Sequence, residues 1–400
     1  MKITILGDIM CEPPVRKTYR QKDGSYNFDG LFANVKGLLS EADYVIGNLE
    51  APLAGEDAKY TYEFYSFNAP DEIVDAMKKV GIRMVSTVNN HTFDRGLEGM
   101  KRTLRVMDEK GMGHTGTFFP GSDRKEAFYF QVDGTRFAVI CYTYGTNVGR
   151  SKVLAEGELE GTANLLRHQK ERAYLPGVGI PPSWIEKHLK FLRSEHKAQL
   201  RKWLGMTYSI PKADDNLTED TMAPYTAKFR ADIQAAKEKA DVVIFYPHVG
   251  GQFNPEPGAV SVYVVDQAVD AGADAVIASH SHIVQKAKHI NGIPCAYSLG
   301  NFSMSPNSAL MVDEYIPWFG IMMHLYVEDK KIVKTTFSIT KAVEKRGGKM
   351  KVWPVDELYA ALTSQADKDQ LLKDVRQIYT TVTGKEPEDD VIRREYDLTV

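Results

Sequence analysis

The stretch ADAVIASHSHIVQ, residues 273–285, sets an apolar run against two histidines one residue apart, His280 and His282. The run ADAVI reads as a buried strand. Both imidazoles then fall where a strand ends and a loop begins. In extended backbone, residues i and i+2 point to the same side. Two imidazoles facing one way at the carboxyl end of a strand can hold metal ions or grip an anion. A lone histidine is more often a surface residue or a satisfied core residue, so the pair takes its meaning from what the rest of the chain brings to it.

Working outward, the same pattern recurs. KITILGD (2–8), DYVIGNLE (43–50), IRMVSTVNNH (82–91), RFAVICYTY (136–144) and ADVVIFYPH (240–248) are apolar runs of strand length. Helical spacing separates them in LFANVKGLLSEA, PDEIVDAMKKVG, GLEGMKRTLRVMDEKG and SVYVVDQAVDAG. IPCAYSLGNF (293–302) adds another strand, and GIMMHLYVED with KIVKTTFSIT is spaced like a hairpin. Alternating strands and helices imply α/β layers around buried sheets. From about 150 to 239 the texture changes to charged, helix-forming sequence, which reads as a helical insertion. The tail, 346–400, reads as a helical extension, with one helical run over 355–384. Residues 1–345 form the main domain on this reading.

Composition narrows the function. The chain has 400 residues, 43% hydrophobic and 26% charged, as expected of a globular protein with a large core. A net charge of −3 makes no electrostatic case for nucleic acid. Three scattered cysteines, Cys11, Cys141 and Cys295, suit neither a disulfide framework nor a cysteine zinc site. The opening MKITILGDIM is too short and too alternating for a signal peptide, and no apolar run reaches membrane-span length. As written, the chain is expected in the cytoplasm; a removed leader would place it outside.

Five of the apolar runs end on polar residues: Asp8, then Asn48 and Glu50, then Asn90 and His91, then His248, then His280 and His282. Helix caps and turns explain one or two such residues. They explain five in succession poorly. Carboxylate, amide oxygen and imidazole form the ligand set of divalent first-row metals. Ligands gather beyond the carboxyl ends of strands in α/β sheets.

The order of these blocks resembles the calcineurin-like metallophosphoesterase superfamily. More closely, it resembles the CapA family of poly-γ-glutamate capsule synthesis proteins. The matching stretches are GDIM (7–10), GNLEAPL (47–53), NNHTFDRG (89–96), HTG (114–116), HVGGQ (248–252), SHSHIVQ (279–285) and YSLGNF (297–302). The resemblance implies a four-layer α/β/β/α sandwich and a centre for one or two divalent ions, Mn, Fe or Zn. Glu50 would bridge two sites. Asp8 and His282 would complete one, and Asn90, His248 and His280 the other. His91 would donate a proton, with Asp94 orienting it. Asn48, Asn89, His114, Gly250 and Asn301 would meet the substrate. Two positions depart from the superfamily pattern. Met10 stands where a histidine ligand is usual, and Glu50 replaces the bridging aspartate.

The implied activity is metal-dependent hydrolysis of a phosphoester, or of an amide in a glutamate-type polymer, with peripheral association with capsule machinery. The alternatives are a non-catalytic polyanion-binding role in capsule assembly and an intracellular phosphoesterase for a small molecule. Two features are set aside. GMGHTG (111–116) fits G-x-G-x-x-G, but it follows a helix and reads as a helix cap and turn. The aromatic run YTYEFYSF (60–67) reads first as packing and second as a pocket wall.

Overall fold

The computed structural model describes residues 1–61, 66–147, 161–169, 188–189, 192, 200, 204, 219–308, 315–344, 348–388 and 391–398. Among the described residues, fifteen strands fall into two sheets. The first sheet has nine strands. Its central path runs β4 (Gly113–Thr115), β3 (Ile82–Ser86), β2 (Tyr44–Leu49), β1 (Lys2–Ile9), β12 (Phe319–Glu328), β13 (Lys331–Val343) and β14 (Lys351–Pro354). Short β11 (Asn301–Ser303) pairs with β1, and β15 (Tyr396–Asp397) pairs with β13. The second sheet runs β5 (Phe128–Val132), β6 (Thr135–Thr143), β7 (Val242–His248), β8 (Ala275–Ile277), β10 (Ile293–Ala296) and β9 (Ala287–Ile290). Strands β1 to β4 are parallel, as are β6, β7 and β8. All eight residues of β1 and all seven of β7 are buried. Burial on both faces is why these strands read as unbroken apolar runs.

Helices α1 (Pro13–Tyr19), α2 (Glu72–Lys79), α3 (Gly96–Glu109), α4 (Glu219–Lys237), α5 (Ala259–Asp270), α6 (Val355–Ala361) and α7 (Gln365–Thr383) accompany the sheets. Ile5, Ile46 and Met84 of the first sheet share one core with Val139, Ile244 and Ile277 of the second. On the other side of the first sheet, Val45 and Val85 pack with Ile73 and Met77 of α2 and Met107 of α3. On the other side of the second sheet, Ile140 and Phe245 pack with Phe229 of α4 and Val264 of α5. Burying each such side chain stabilises the fold by about 1.5–3 kcal/mol. Helix α2 shows how local chemistry was reassigned. Asp71 precedes it but makes no side-chain cap; its carboxylate instead takes Arg102 at 2.7 and 2.8 Å.

Two segments differ in detail from their sequence expectations. The single helical run over 355–384 divides at Leu362, whose backbone is extended, into α6 and α7. Ser364 caps α7 and Gly384, at φ 70°, ends it. The C-terminal extension also contributes strands, because β14 and β15 both pair with β13. Within the segment expected as a helical insertion, the described residues include α4 and a non-helical passage, 161–169. That passage bridges Thr117 with Ala163 and Thr143 with Leu165. Among the described residues no helix is long and apolar enough to cross a membrane.

Candidate metal centre

Strand ends from both sheets meet at one buried point. Asp8 and Asn48 are the penultimate residues of β1 and β2, Glu50 follows β2, and His248 closes β7. Gly7 permits the closest approach: a Cβ there would lie 2.0 Å from the Gly300 carbonyl oxygen. Asp8 N donates to that carbonyl at 3.0 Å, and the strand register sets Asp8 beside both Asn301 and Asn48.

His280 and His282 converge for a reason other than strand alternation. β8 ends at Ile277, and the two histidines sit beyond it with φ of 123° and 59°. A non-glycine residue in such a conformation costs on the order of 1–3 kcal/mol. Backbone hydrogen bonds hold the turn: Ser279 N to Pro247 O at 3.1 Å and Phe253 N to Ser281 O at 2.7 Å.

His248 Nε2 lies 2.8 Å from Asn90 Oδ1, 2.9 Å from His280 Nδ1 and 3.5 Å from Glu50 Oε1. His282 Nε2 lies 3.5 Å from the same Glu50 oxygen, and His282 Nδ1 is 3.5 Å from Asp8 Oδ2. Ligand atoms of Glu50, His248 and His280 fall within 4.8 Å of one another, and so do those of Asp8, Glu50 and His282. Glu50 belongs to both groups.

The residues fit a cation. Asp8 Oδ2 and both Glu50 oxygens are buried and accept no hydrogen bond. Burial pushes the Glu50 carboxyl up to about 8; His282 and His91 pull against it, and the neighbouring Asp8 carboxylate adds to the rise. Burial also pushes His248 down to about 4 and His280 well below its usual range. These two imidazoles are therefore neutral, and the 3.5 Å approach of His248 to Glu50 is no ion pair. Unpaired carboxylate oxygens and neutral imidazole lone pairs are aimed at common points. Such oxygens are costly to bury alone and suit divalent ions.

Each imidazole presents its other nitrogen to a protein group. His248 Nδ1 lies 3.2 Å from Ser279 Oγ, His280 Nε2 3.0 Å from Tyr144 Oη, and His282 Nδ1 3.0 Å from Asn301 Oδ1. An N–H donated there fixes the tautomer and leaves the facing nitrogen bare, as metal-ligating histidines require. Sequence reasoning had not singled out Tyr144 or Ser279. Ser279 lies inside the opening stretch, but nothing local distinguishes Tyr144 from a core tyrosine.

His91 stands beside the two groups. Its Nδ1 is 2.6 Å from Asp94 Oδ2 and its Nε2 is 3.9 Å from Glu50 Oε1. Phe67 packs against the ring at 4.3 Å. Met10, Phe67, His91, Gln252, Phe253, His282 and Met304 line a small pocket at this point.

Of the residues expected at the substrate, Asn48 donates to Asp8 Oδ1 at 2.8 Å. Asn89 donates to Leu49 O at 2.9 Å and accepts from His91 N at 3.0 Å. With Asn301, these amides hold other site residues in place. Gly250, at φ 130°, sits in the loop after β7. His114 lies on β4, bonds Asp108 of α3 at 3.1 Å and takes part in neither donor group. In the aromatic run, Tyr60 packs against the core with Tyr26, while Tyr62, Phe64 and Tyr65 lie outside the described residues.

The chain is 26% identical over 306 residues to the capsule biosynthesis protein CapA of Bacillus anthracis, covering 76% of this chain and 59% of that one. It is 24% identical over 304 residues to the PGA biosynthesis protein CapA of Bacillus subtilis (strain 168), covering 76% and 63%. The chain thus spans about three fifths of the length of these relatives. A solved structure of a hypothetical protein from Thermus thermophilus aligns over 88% of this chain and 99% of that one, at 13% identity and a TM-score of 0.38. Residues 2–305 match the family described as bacterial capsule synthesis protein PGA_cap, a span that contains every candidate ligand from Asp8 to His282. The chain belongs to the PGA_cap family of bacterial capsule synthesis proteins.

Proposed function

We propose that the chain is a metal-dependent, phosphoesterase-like hydrolase of capsule-polymer biosynthesis with a two-metal centre. Its substrate is a phosphoester, or an amide within an anionic polymer, and it works at the periphery of the capsule machinery. Glu50 carries this reading: one buried carboxylate without a hydrogen-bond partner belongs to both donor groups. Glu50, Asn90, His248 and His280 would hold one ion, and Asp8, Glu50 and His282 the other. Mn, Fe or Zn suits these nitrogen and oxygen donors. Bound ions would polarise a substrate oxygen and acidify water.

The chain's own residues supply the rest. His91, held at Nδ1 by Asp94, presents Nε2 toward the cluster and delivers a proton to the leaving group. Met10, Phe67 and Phe253 border the pocket with apolar surface that limits water. The same reading stacks the layers as α/β/β/α; three cores, one between the sheets and one under each helical face, support it. The names of the two relatives support a capsule polymer.

The test is metal analysis of the purified protein with a screen of generic phosphoesters under added Mn, Fe and Zn. Bound metal with hydrolysis is the expected result. A protein that stays metal-free and inactive overturns the reading. One that binds metal and polymer but hydrolyses nothing is an assembly factor instead.

A further inference from the structure

Tyr144, just beyond β6, touches both histidines of one donor group. Its N–H donates to the His248 carbonyl at 3.1 Å, and its hydroxyl meets His280 Nε2 at 3.0 Å. The residue is in turn gripped from outside the sheets. The Tyr144 carbonyl accepts Arg167 Nε at 2.8 Å and Gln169 Nε2 at 3.3 Å. The Arg167 guanidinium lies over the Tyr144 ring, 4.7 Å from its centroid. Gln169 is itself fixed by Thr146, whose hydroxyl donates to Oε1 at 2.8 Å.

Arg167 comes from the passage 161–169, which is anchored at both sheets. Phe118 N donates to Thr162 O at 2.9 Å, beyond β4, and Leu166 N donates to Thr143 O at 2.8 Å, at the end of β6. Asn164 is fully buried and donates to Cys141 O at 2.9 Å. The passage therefore ends in a clamp on the tyrosine that orients His280.

We propose that Arg167 is a positioning residue that sets the metal affinity of the Asn90/His248/His280 group through Tyr144. The inference rests on the reading that this group holds a metal. The phenol oxygen accepts the His280 Nε2 proton and so leaves Nδ1 bare toward the ion. An outer partner of this kind is typically worth about 10–100-fold in metal affinity. The clamp on the ring and carbonyl of Tyr144 keeps the hydroxyl where His280 needs it. Loosening the clamp loosens the ligand, and it does so at one site only, because His282 of the other site is oriented by Asn301.

The experiment is calorimetric titration of the metal-free full chain with Mn²⁺ alone, on wild type, Tyr144→Phe, Arg167→Ala, Arg167→Lys, Asn301→Ala and the Tyr144→Phe/Arg167→Ala double variant. Unfolding temperature in chelator controls for folding. Tyr144→Phe is expected to weaken one of two sites by about 10–100-fold and leave the other unchanged. Arg167→Ala weakens the same site, by less, and adds little to Tyr144→Phe in the double variant. Arg167→Lys behaves like Arg167→Ala, because an ammonium lacks the planar guanidinium that covers the ring while bonding the carbonyl. Asn301→Ala weakens the other site. Unchanged affinities in Arg167→Ala, or losses that simply add in the double variant, overturn the proposal. So does an equal loss at both sites with a lower unfolding temperature in chelator, which is a general structural role. A wild-type chain that binds no Mn²⁺ at either site instead sinks the metal-centre reading itself.

Discussion

Asp94 holds His91 in place: its Oδ2 lies 2.6 Å from His91 Nδ1 and accepts the Phe67 backbone N–H at the same distance. A carboxylate fixed twice over orients the ring firmly. His91 Nε2 is left facing Glu50 Oε1 at 3.9 Å, beside the donor groups and outside both. On the proposed reading, His91 donates a proton from this position.

His91→Asn is therefore expected to keep metal content near wild type. Turnover should fall by about 10²–10⁴-fold on substrates with poor leaving groups, the usual contribution of a positioned acid. The loss should be smaller on nitrophenyl phosphates, whose leaving oxygen needs little help. Elemental analysis alongside turnover on both substrate types checks this. Loss of metal from the variant would make His91 a ligand.

His248→Asn should behave in the opposite way. His248 Nε2 approaches Asn90, His280 and Glu50 together, so removing it opens the centre of one donor group. Metal should be lost and both activities abolished. Full metal retention in the purified variant would contradict the ligand assignment.

The two groups are unequal. On the proposed reading Glu50, Asn90, His248 and His280 would give one group four donors, while Asp8, Glu50 and His282 would give the other three. Met10 lines the pocket beside His282 and brings only a thioether, a poor partner for harder ions. Titration should resolve one tight and one weak site, and Met10→His should tighten the weak one. Two equally tight sites in the wild type would rule this out.

Burial raises the Glu50 carboxyl to about 8 from an ordinary value of 4.5 in the metal-free chain. The unfolded chain gives up this proton near 4.5, and the folded one keeps it until about 8. The stability that Glu50 contributes is thus fully present below 4.5 and lost as pH rises through 8. Chelated wild type should lose stability across that window more steeply than chelated Glu50→Gln. Added metal should reverse the loss in the wild type, because the ion takes the proton's place. Parallel pH profiles of the two chelated proteins would refute this.

His324, which takes part in neither donor group, carries the reverse dependence. It is buried in β12 between Thr4 Oγ1 at 2.8 Å and Ser338 Oγ at 2.9 Å. Desolvation, helped by Lys2, pushes it down to about 3 from 6.5. The unfolded chain takes up a proton below 6.5 and the folded one resists until about 3, so this stability is lost as pH falls through that range. His324→Gln should cost about 1–3 kcal/mol at pH 7 through unmatched hydrogen bonds. It should also flatten the acid side of the stability curve relative to wild type, by denaturant unfolding at pH 7 and pH 5. An unchanged acid slope would show that His324 is protonated in the fold.

What the sequence determined by itself was the local part of this protein. Apolar runs such as KITILGD and ADVVIFYPH became β1 and β7 because strand formation and burial on both faces are written in consecutive residues. The polar residue closing each run, and the order of those residues along the chain, already pointed to one centre and one family. The tertiary structure alone decided how the centre is built. Glu50 is shared between two donor groups because β2 of one sheet is brought up to β7 of the other. The hydrogen-bond partner of His280 Nε2 is Tyr144, 136 residues away in sequence, and no local pattern marks it. The H-x-H pair converges through a strained turn rather than through strand alternation. Residues 161–169, part of a segment read as a helical insertion, run as a non-helical bridge instead, because Asn164 and its neighbours complete backbone hydrogen bonds that the ends of β4 and β6 leave open. Propensity acts between neighbours in the chain. Shared ligands and their supporting hydrogen bonds depend on how two sheets dock, and that is set by side chains far apart in sequence.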